Sequence, residues 1–129
     1  MSQLQRILYV EDDPDIQAIA RLALEKVGGF TVHVCACGEA ALNEAPGFAP
    51  DLILLDVMMP GLDGPGTLKA LRADPNLATI PVVFMTAKAQ PQELEQLLAL
   101  GAVGVIAKPF DPMTLAEQLR ELWSSRSDD

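Results

Sequence analysis

Apolar residues along this chain follow two alternating patterns. Short unbroken runs occur at Ile7–Val10 within Gln5–Val10, at Leu52–Leu55, at Pro81–Met85 and at Val103–Ala107, and each stops at a polar or charged residue. Runs of this kind, entered and left abruptly, suit strands buried on both faces of a parallel sheet. A further strand is expected over Phe30–Ala36, which is rich in β-branched residues. Between the runs, apolar residues recur at helical spacing: Ile16, Ile19, Ala20, Ala23 and Val27, then Leu68 and Leu71, then Leu94, Leu97 and Leu98, then Leu115, Leu119 and Leu122. A short alanine-rich helix is expected over Glu39–Ala45.

Turn chemistry marks the boundaries. Asp13-Pro14 and Asp111-Pro112 each read as an N-cap followed by a first-turn proline, and Pro65 suits the start of another helix. Gly28-Gly29, Pro46-Gly47, Asp74-Pro75 and Gly101 read as stops. Strand then helix, five times over, implies an α/β fold: one doubly wound, five-stranded parallel sheet with five helices on its two faces and right-handed crossovers. One domain is expected over residues 1–124, with a polar, frayed tail over 125–129.

Composition narrows the function. The chain has 129 residues, half of them apolar, a formal net charge of -9 and a sequence pI near 4.4. That size suits one domain with a substantial core. That charge argues against binding nucleic acid or an anionic membrane, and leaves basic protein surfaces or cations as partners. No apolar leader and no run of membrane-spanning length occurs, so a cytoplasmic protein is expected. Cys35 and Cys37, with His33 two residues before them, form His-x-Cys-x-Cys on one strand. Three potential ligands without the two-plus-two spacing of a structural zinc motif favour small buried strand residues over a metal site.

The chemistry gathers where strands end. Glu11 and Asp12 follow the first strand, Asp56 the third, Thr86 the fourth and Lys108 the fifth. Each alone is commonplace, as a turn former or a solvated loop lysine. In a parallel sheet, however, all of them lie along the edge where open α/β folds bind ligands. Three carboxylates do not stay ionised together without a cation, and all-oxygen donors select a hard ion, Mg²⁺ or Mn²⁺. A carboxylate, a divalent metal, a lysine and a hydroxyl form a site for phosphoryl transfer, with Asp56 as nucleophile.

Four stretches in order, Ile-Leu-Tyr-Val-Glu-Asp-Asp at 7–13, Asp-Leu-Ile-Leu-Leu-Asp-Val-Met-Met-Pro-Gly-Leu-Asp-Gly at 51–64, Ile-Pro-Val-Val-Phe-Met-Thr-Ala at 80–87 and Ala-Lys-Pro-Phe at 107–110, closely resemble the receiver domains of two-component response regulators. The resemblance runs from about Ile7 to Trp123. It implies a flavodoxin-like receiver fold with strand order 2-1-3-4-5. It also implies that Asp56 takes a phosphoryl group from a sensor histidine kinase or a histidine phosphotransfer protein. By the same resemblance Asp12, Asp56 and the backbone carbonyl of Met58 are direct Mg²⁺ ligands and Glu11 acts through water. Thr86 and Lys108 contact the phosphoryl oxygens, and Thr86 is also the switch hydroxyl.

Two positions depart from the family's commonest pattern. Val105 stands where an aromatic ring usually swings inward with the threonine, so a Thr–aromatic switch has no ring to move. Met58 and Lys88 occupy the positions that tune phosphoryl lifetime, and neither readily orients an attacking water, so slow self-hydrolysis is expected. The chain is expected to be a phospho-acceptor and not an enzyme, with no output module attached, signalling to a downstream protein through the fourth helix, fifth strand and last helix. A phosphorylation-independent docking scaffold is one competing reading. A small Mg²⁺-dependent phosphatase is another, but its usual second Asp is replaced by Met58, which transfers no protons. A flavodoxin-like cofactor binder would need a Ser/Thr/Gly-rich phosphate loop in place of Glu11-Asp12-Asp13.

Overall fold

In the computed structural model, which describes residues 3–125, five strands form one parallel sheet. The strands are β1 (Arg6–Val10), β2 (Thr31–Cys35), β3 (Leu52–Asp56), β4 (Val82–Thr86) and β5 (Gly104–Ala107). Their order is β2-β1-β3-β4-β5, as the resemblance implied. The helices are α1 (Pro14–Leu22), α2 (Gly38–Phe48), α3 (Gly64–Ala73), α4 (Pro91–Ala99) and α5 (Leu115–Ser125).

Side-chain alternation sorts the strands into two cores. Ile7, Tyr9, Leu52, Leu54, Val83, Met85 and Ile106 point to the face covered by α1 and α5, where Ala20, Leu24, Leu115, Leu119 and Trp123 meet them. Leu8, Val10, Ile53, Leu55, Val82 and Phe84 point to the other face, against Ala41 and Ala45 of α2, Leu68 and Leu71 of α3, and Leu97 of α4. Every residue of β3 and β4 is buried. Burial on both faces is why their sequences read as unbroken apolar runs.

The start of α1 follows the expected chemistry, and α3 adds an aspartate cap that the Pro65 signal did not include. The Asp13 carboxylate accepts the Asp15 N–H at 2.9 Å, and the Asp63 carboxylate accepts the Gly66 N–H at 2.8 Å. Other boundaries differ. After α1 the chain enters a π-helical turn, Ala23–Val27, in which the Gly28 N–H reaches back to Ala23 O at 3.1 Å. The wider turn inserts a residue, so Gly28 takes the buried place that α-periodicity assigned to Val27. Val27 is 47% exposed and Ile19 50% exposed, and Leu24 fills the core instead.

Pro46 does not stop α2. The helix continues to Phe48 and closes on Ala49, a left-handed residue (φ 55) whose N–H donates to Ala45 O. Phe48 is held there by Arg6, whose guanidinium donates to the Phe48 carbonyl and lies 4.2 Å from its ring. These contacts anchor the end of α2 beyond Pro46, which cannot make its own helical hydrogen bond. The α5 helix begins three residues after the Asp111-Pro112 signal. Asp111 first caps a tight turn, its carboxylate accepting the Met113 N–H at 2.8 Å. Leu98 is exposed, because α4 turns only Leu97 fully into the core. Cys37 lies beyond the end of β2, at the N-cap of α2. Ser125, assigned to the tail, closes α5, and residues 126–129 lie outside the described residues. No helix of the described residues is long and apolar enough to cross a membrane.

Candidate functional site

Sheet register brings the polar strand ends together. Asp56 is the last residue of β3 and pairs with Met85, one residue before Thr86 ends β4. Backbone bonds continue the ladder past the strands: Glu11 N–H to Cys35 O at 3.0 Å, Val57 N–H to Met85 O at 3.0 Å and Lys108 N–H to Thr86 O at 2.8 Å. The loop after β3 folds back through Gly64, whose N–H donates to Val57 O at 3.0 Å. A methyl group on Gly64 would lie 2.5 Å from the Asp56 carbonyl oxygen and 2.8 Å from Val57 Cα, so only glycine lets α3 start this close to the strand end.

Lys108 crosses the site. Its Nζ lies 2.8 Å from Glu11 Oε1 and 2.8 Å from Asp56 Oδ1, an ammonium shared by two carboxylates. Glu11 and Asp56 are almost wholly inaccessible, and Thr86 is equally buried. Burial alone would lower the Lys108 pKa, but the hydrogen bonds to Asp56 and Glu11 outweigh it and raise the value. Glu11 is shifted up, chiefly by desolvation, with the Lys108 hydrogen bond pulling the other way and the Asp56 charge adding to the rise. The Tyr9 hydroxyl donates to Glu11 Oε1 at 3.2 Å, and burial followed by the Glu11 charge holds that phenol well above its ordinary range.

The other predicted residues surround this pair. One carboxylate oxygen from each of Glu11, Asp12 and Asp56 lies within 4.8 Å of the other two, with Asp12 the exposed member. Three acids facing one lysine leave the site with excess negative charge. Oxygen donors at this spacing fit a hard divalent cation such as Mg²⁺. Met58 lies two residues past Asp56 and is 63% exposed. Thr86 Oγ1 accepts the Lys88 N–H at 3.0 Å, tying the threonine to the loop after β4. Val105 is half-buried beside Phe84, its partner in the β4–β5 register.

Three contributors were not foreseen. Tyr9 supplies its hydroxyl from the middle of an apolar strand, where an amphipathic ring was the available signal. The Gln17 side-chain amide donates to the Glu11 carbonyl, holding α1 against the acidic loop. Finally, Ile16, Ile19, Ala87, Pro109, Phe110 and Pro112 line an apolar groove of about 380 Å³ beside Lys108. Periodicity placed Ile16 and Ile19 on an apolar helix face, but nothing local says that this part of the face overhangs the site.

The sequence model of the response regulator receiver domain matches residues 7–120. The DNA-binding response regulator MtrA of Mycolicibacterium smegmatis is 37% identical over 116 residues, covering 90% of this chain and 49% of the relative. The transcriptional regulatory protein CseB of Streptomyces coelicolor is 36% identical over 120 residues, covering 93% of this chain and 50% of the relative. The chain thus spans about half the length of these relatives, and they lend no support to the expectation that no output module is attached. Among solved structures, the chemotaxis protein CheY4 of Vibrio cholerae superposes with a TM-score of 0.84 at 30% identity, covering 92% of this chain and 98% of that one. The receiver domain of sensor histidine kinase PA1611 from Pseudomonas aeruginosa, solved with magnesium in its active-site cleft, gives 0.82 at 33% identity, covering 94% and 98%.

Proposed function

This chain belongs to the response regulator receiver domain family, and on that premise we propose that it accepts a phosphoryl group on Asp56 from a phosphohistidine protein and signals by protein binding. The observation that carries the reading is the shared ammonium: Lys108 already sits 2.8 Å from the carboxylate that must become the nucleophile. One Asp56 oxygen attacks the phosphorus as the phosphorus–nitrogen bond breaks, and the imidazole leaves with a proton from solvent. The new phosphoryl oxygens take over the Lys108 hydrogen bond. Thr86, whose hydroxyl accepts from the Lys88 N–H and donates to the Lys88 carbonyl at 3.5 Å, would exchange that long donated bond for one to these oxygens.

Asp12, Asp56 and the Met58 carbonyl would hold Mg²⁺ directly, with Glu11 acting through water. When bound, the ion supplies positive charge that offsets the charge on the transferring oxygens.

The donor approaches the sheet edge where Asp56 lies, and the apolar groove beside Lys108 is the surface it would cover. With Val105 in place of a ring, the signal passes through the Thr86–Lys88 loop into α4. A downstream protein would dock on the α4–β5–α5 face, where Leu98 of α4, 46% exposed, offers an apolar contact. A net charge of -9 offers nucleic acid and anionic membranes no footprint. The chain acts as a phospho-acceptor and not as a phosphatase, because Met58 supplies no acid or base. Slow self-hydrolysis follows from Met58 and Lys88 at the two lifetime positions.

Incubation with an autophosphorylated histidine kinase carrying radiolabelled phosphate tests this. Label should pass to the wild-type chain and not to Asp56→Asn. Equal transfer to both would place the acceptor elsewhere and overturn the reading.

A further inference from the structure

A second group of metal-ligand side chains lies on the opposite side of β1 from β3. His33 and Cys35 project from the same face of β2, one of the two edge strands of the sheet, and Glu44 reaches them from α2. His33 Nε2 is in hydrogen-bond contact with Glu44 Oε1, and the Cys35 sulfur lies 3.6 Å from the same oxygen. One ligand atom from each residue falls within 4.8 Å of the other two. Ligands bonded at zinc distances to one tetrahedral ion lie roughly 3.5 Å apart, so the donors need only small movements to share an ion.

We propose that His33, Cys35 and Glu44 bind a thiophilic divalent cation, Zn²⁺, with an open fourth position facing solvent. A thiolate, an imidazole and one carboxylate are borderline-soft donors, unlike the all-oxygen set at Asp56, so the two sites select different metals. Access suits the proposal: the His33 and Glu44 side chains are 41% and 46% exposed, while Cys35 forms the buried floor. The His33 ring is held by Phe48, centroids 5.4 Å apart, and Phe48 in turn by Arg6. Such support reduces the ordering needed on binding. On binding, the Cys35 S–H bond breaks, its proton goes to solvent and a sulfur–zinc bond forms. In the metal-free protein, burial and then the Glu44 carboxylate keep that thiol protonated, its pKa pushed up to about 12.

Co²⁺ is the probe, because only a thiolate ligand gives it a strong near-ultraviolet charge-transfer band and the carboxylate site gives none. Titration of the reduced, full chain should produce that band at one equivalent, and Zn²⁺ should abolish it. Cys37→Ser should keep the band. Glu44→Gln, at an exposed position that leaves the fold intact, should weaken cobalt affinity at least tenfold, and Cys35→Ser should remove the band. No band in the wild type, a band that survives Cys35→Ser, or unchanged affinity in Glu44→Gln would each overturn the assignment.

Discussion

Replacing Lys108 with methionine, a residue of similar length without charge, tests the electrostatics of the candidate site. The change removes both contacts at 2.8 Å and leaves Glu11 and Asp56 buried together with no cation. Removing one partner of a buried pair costs about 3–5 kcal/mol, and Lys108 is only 16% exposed, so solvent screening takes little from that figure. The low end, about 3 kcal/mol, is expected, because a carboxylate can escape by taking up a proton. With a urea dependence of roughly 1.5–2 kcal/mol per molar, the unfolding midpoint should fall by about 1.5–2 M in chelator at pH 7.

The pH dependence has a definite sign. Glu11 already titrates above its ordinary value through burial, and the lysine is what pulls it down. Without the lysine it rises further. A carboxyl raised in the folded state holds more protons there than when unfolded, so stability falls as pH rises through the window between the two values. The deficit of the variant should therefore shrink between pH 7 and pH 5, and Mg²⁺ should narrow it at pH 7 by replacing the lost charge. An unchanged midpoint, or a deficit that grows on acidification, would refute the reasoning.

Other consequences are simpler to test. Gly64→Ala drives a methyl group into the Asp56 and Val57 backbone and should destabilise the protein by about 1–3 kcal/mol, read as a lower denaturation midpoint. Ile19→Asn, at a 50% exposed groove position, should leave stability unchanged and slow phosphoryl transfer from a histidine kinase roughly 5–30-fold. Transfer from a small phosphodonor should be unaffected; a parallel loss would show that the groove is not a docking face. In metal-free protein at pH 8, Cys37 should be alkylated well before Cys35, whose pKa of about 12 leaves roughly one thiolate in ten thousand. Because Cys35 keeps its proton in the folded state, it should also lower stability as pH rises above about 9, where the unfolded thiol ionises first.

Much of the fold was legible because β3 and β4 are buried on both faces and carry few competing signals. Asp13 and Gly29 likewise act locally, through a hydrogen bond and a left-handed backbone (φ 73) that a short window contains. What was not legible depends on residues distant in sequence. Pro46 reads as a stop unless Arg6, forty residues earlier, is known to hold Phe48. The π-helical turn leaves the apolar spacing intact but moves burial from Val27 to Gly28, so periodicity alone assigns the wrong residue to the core. Within the site, the strand-end position of Glu11, Asp56, Thr86 and Lys108 followed from fold class. The sharing of Lys108 between two acids did not, since it depends on strand order and on side-chain direction. Glu44 was missed as a neighbour of His33 and Cys35 for the same reason: it comes from the helix packed over β2 and from no spacing within the strand.

The central claim is that Asp56 is chemically competent as a phosphoryl acceptor. Intact-mass spectrometry after incubation with a small phosphodonor and Mg²⁺, beside an Asp56→Asn control, tests it most directly. The wild-type chain should gain a single phosphoryl group that peptide mapping assigns to Asp56, and the control should gain none. An adduct on the control, or an acceptor mapped away from Asp56, would contradict the account.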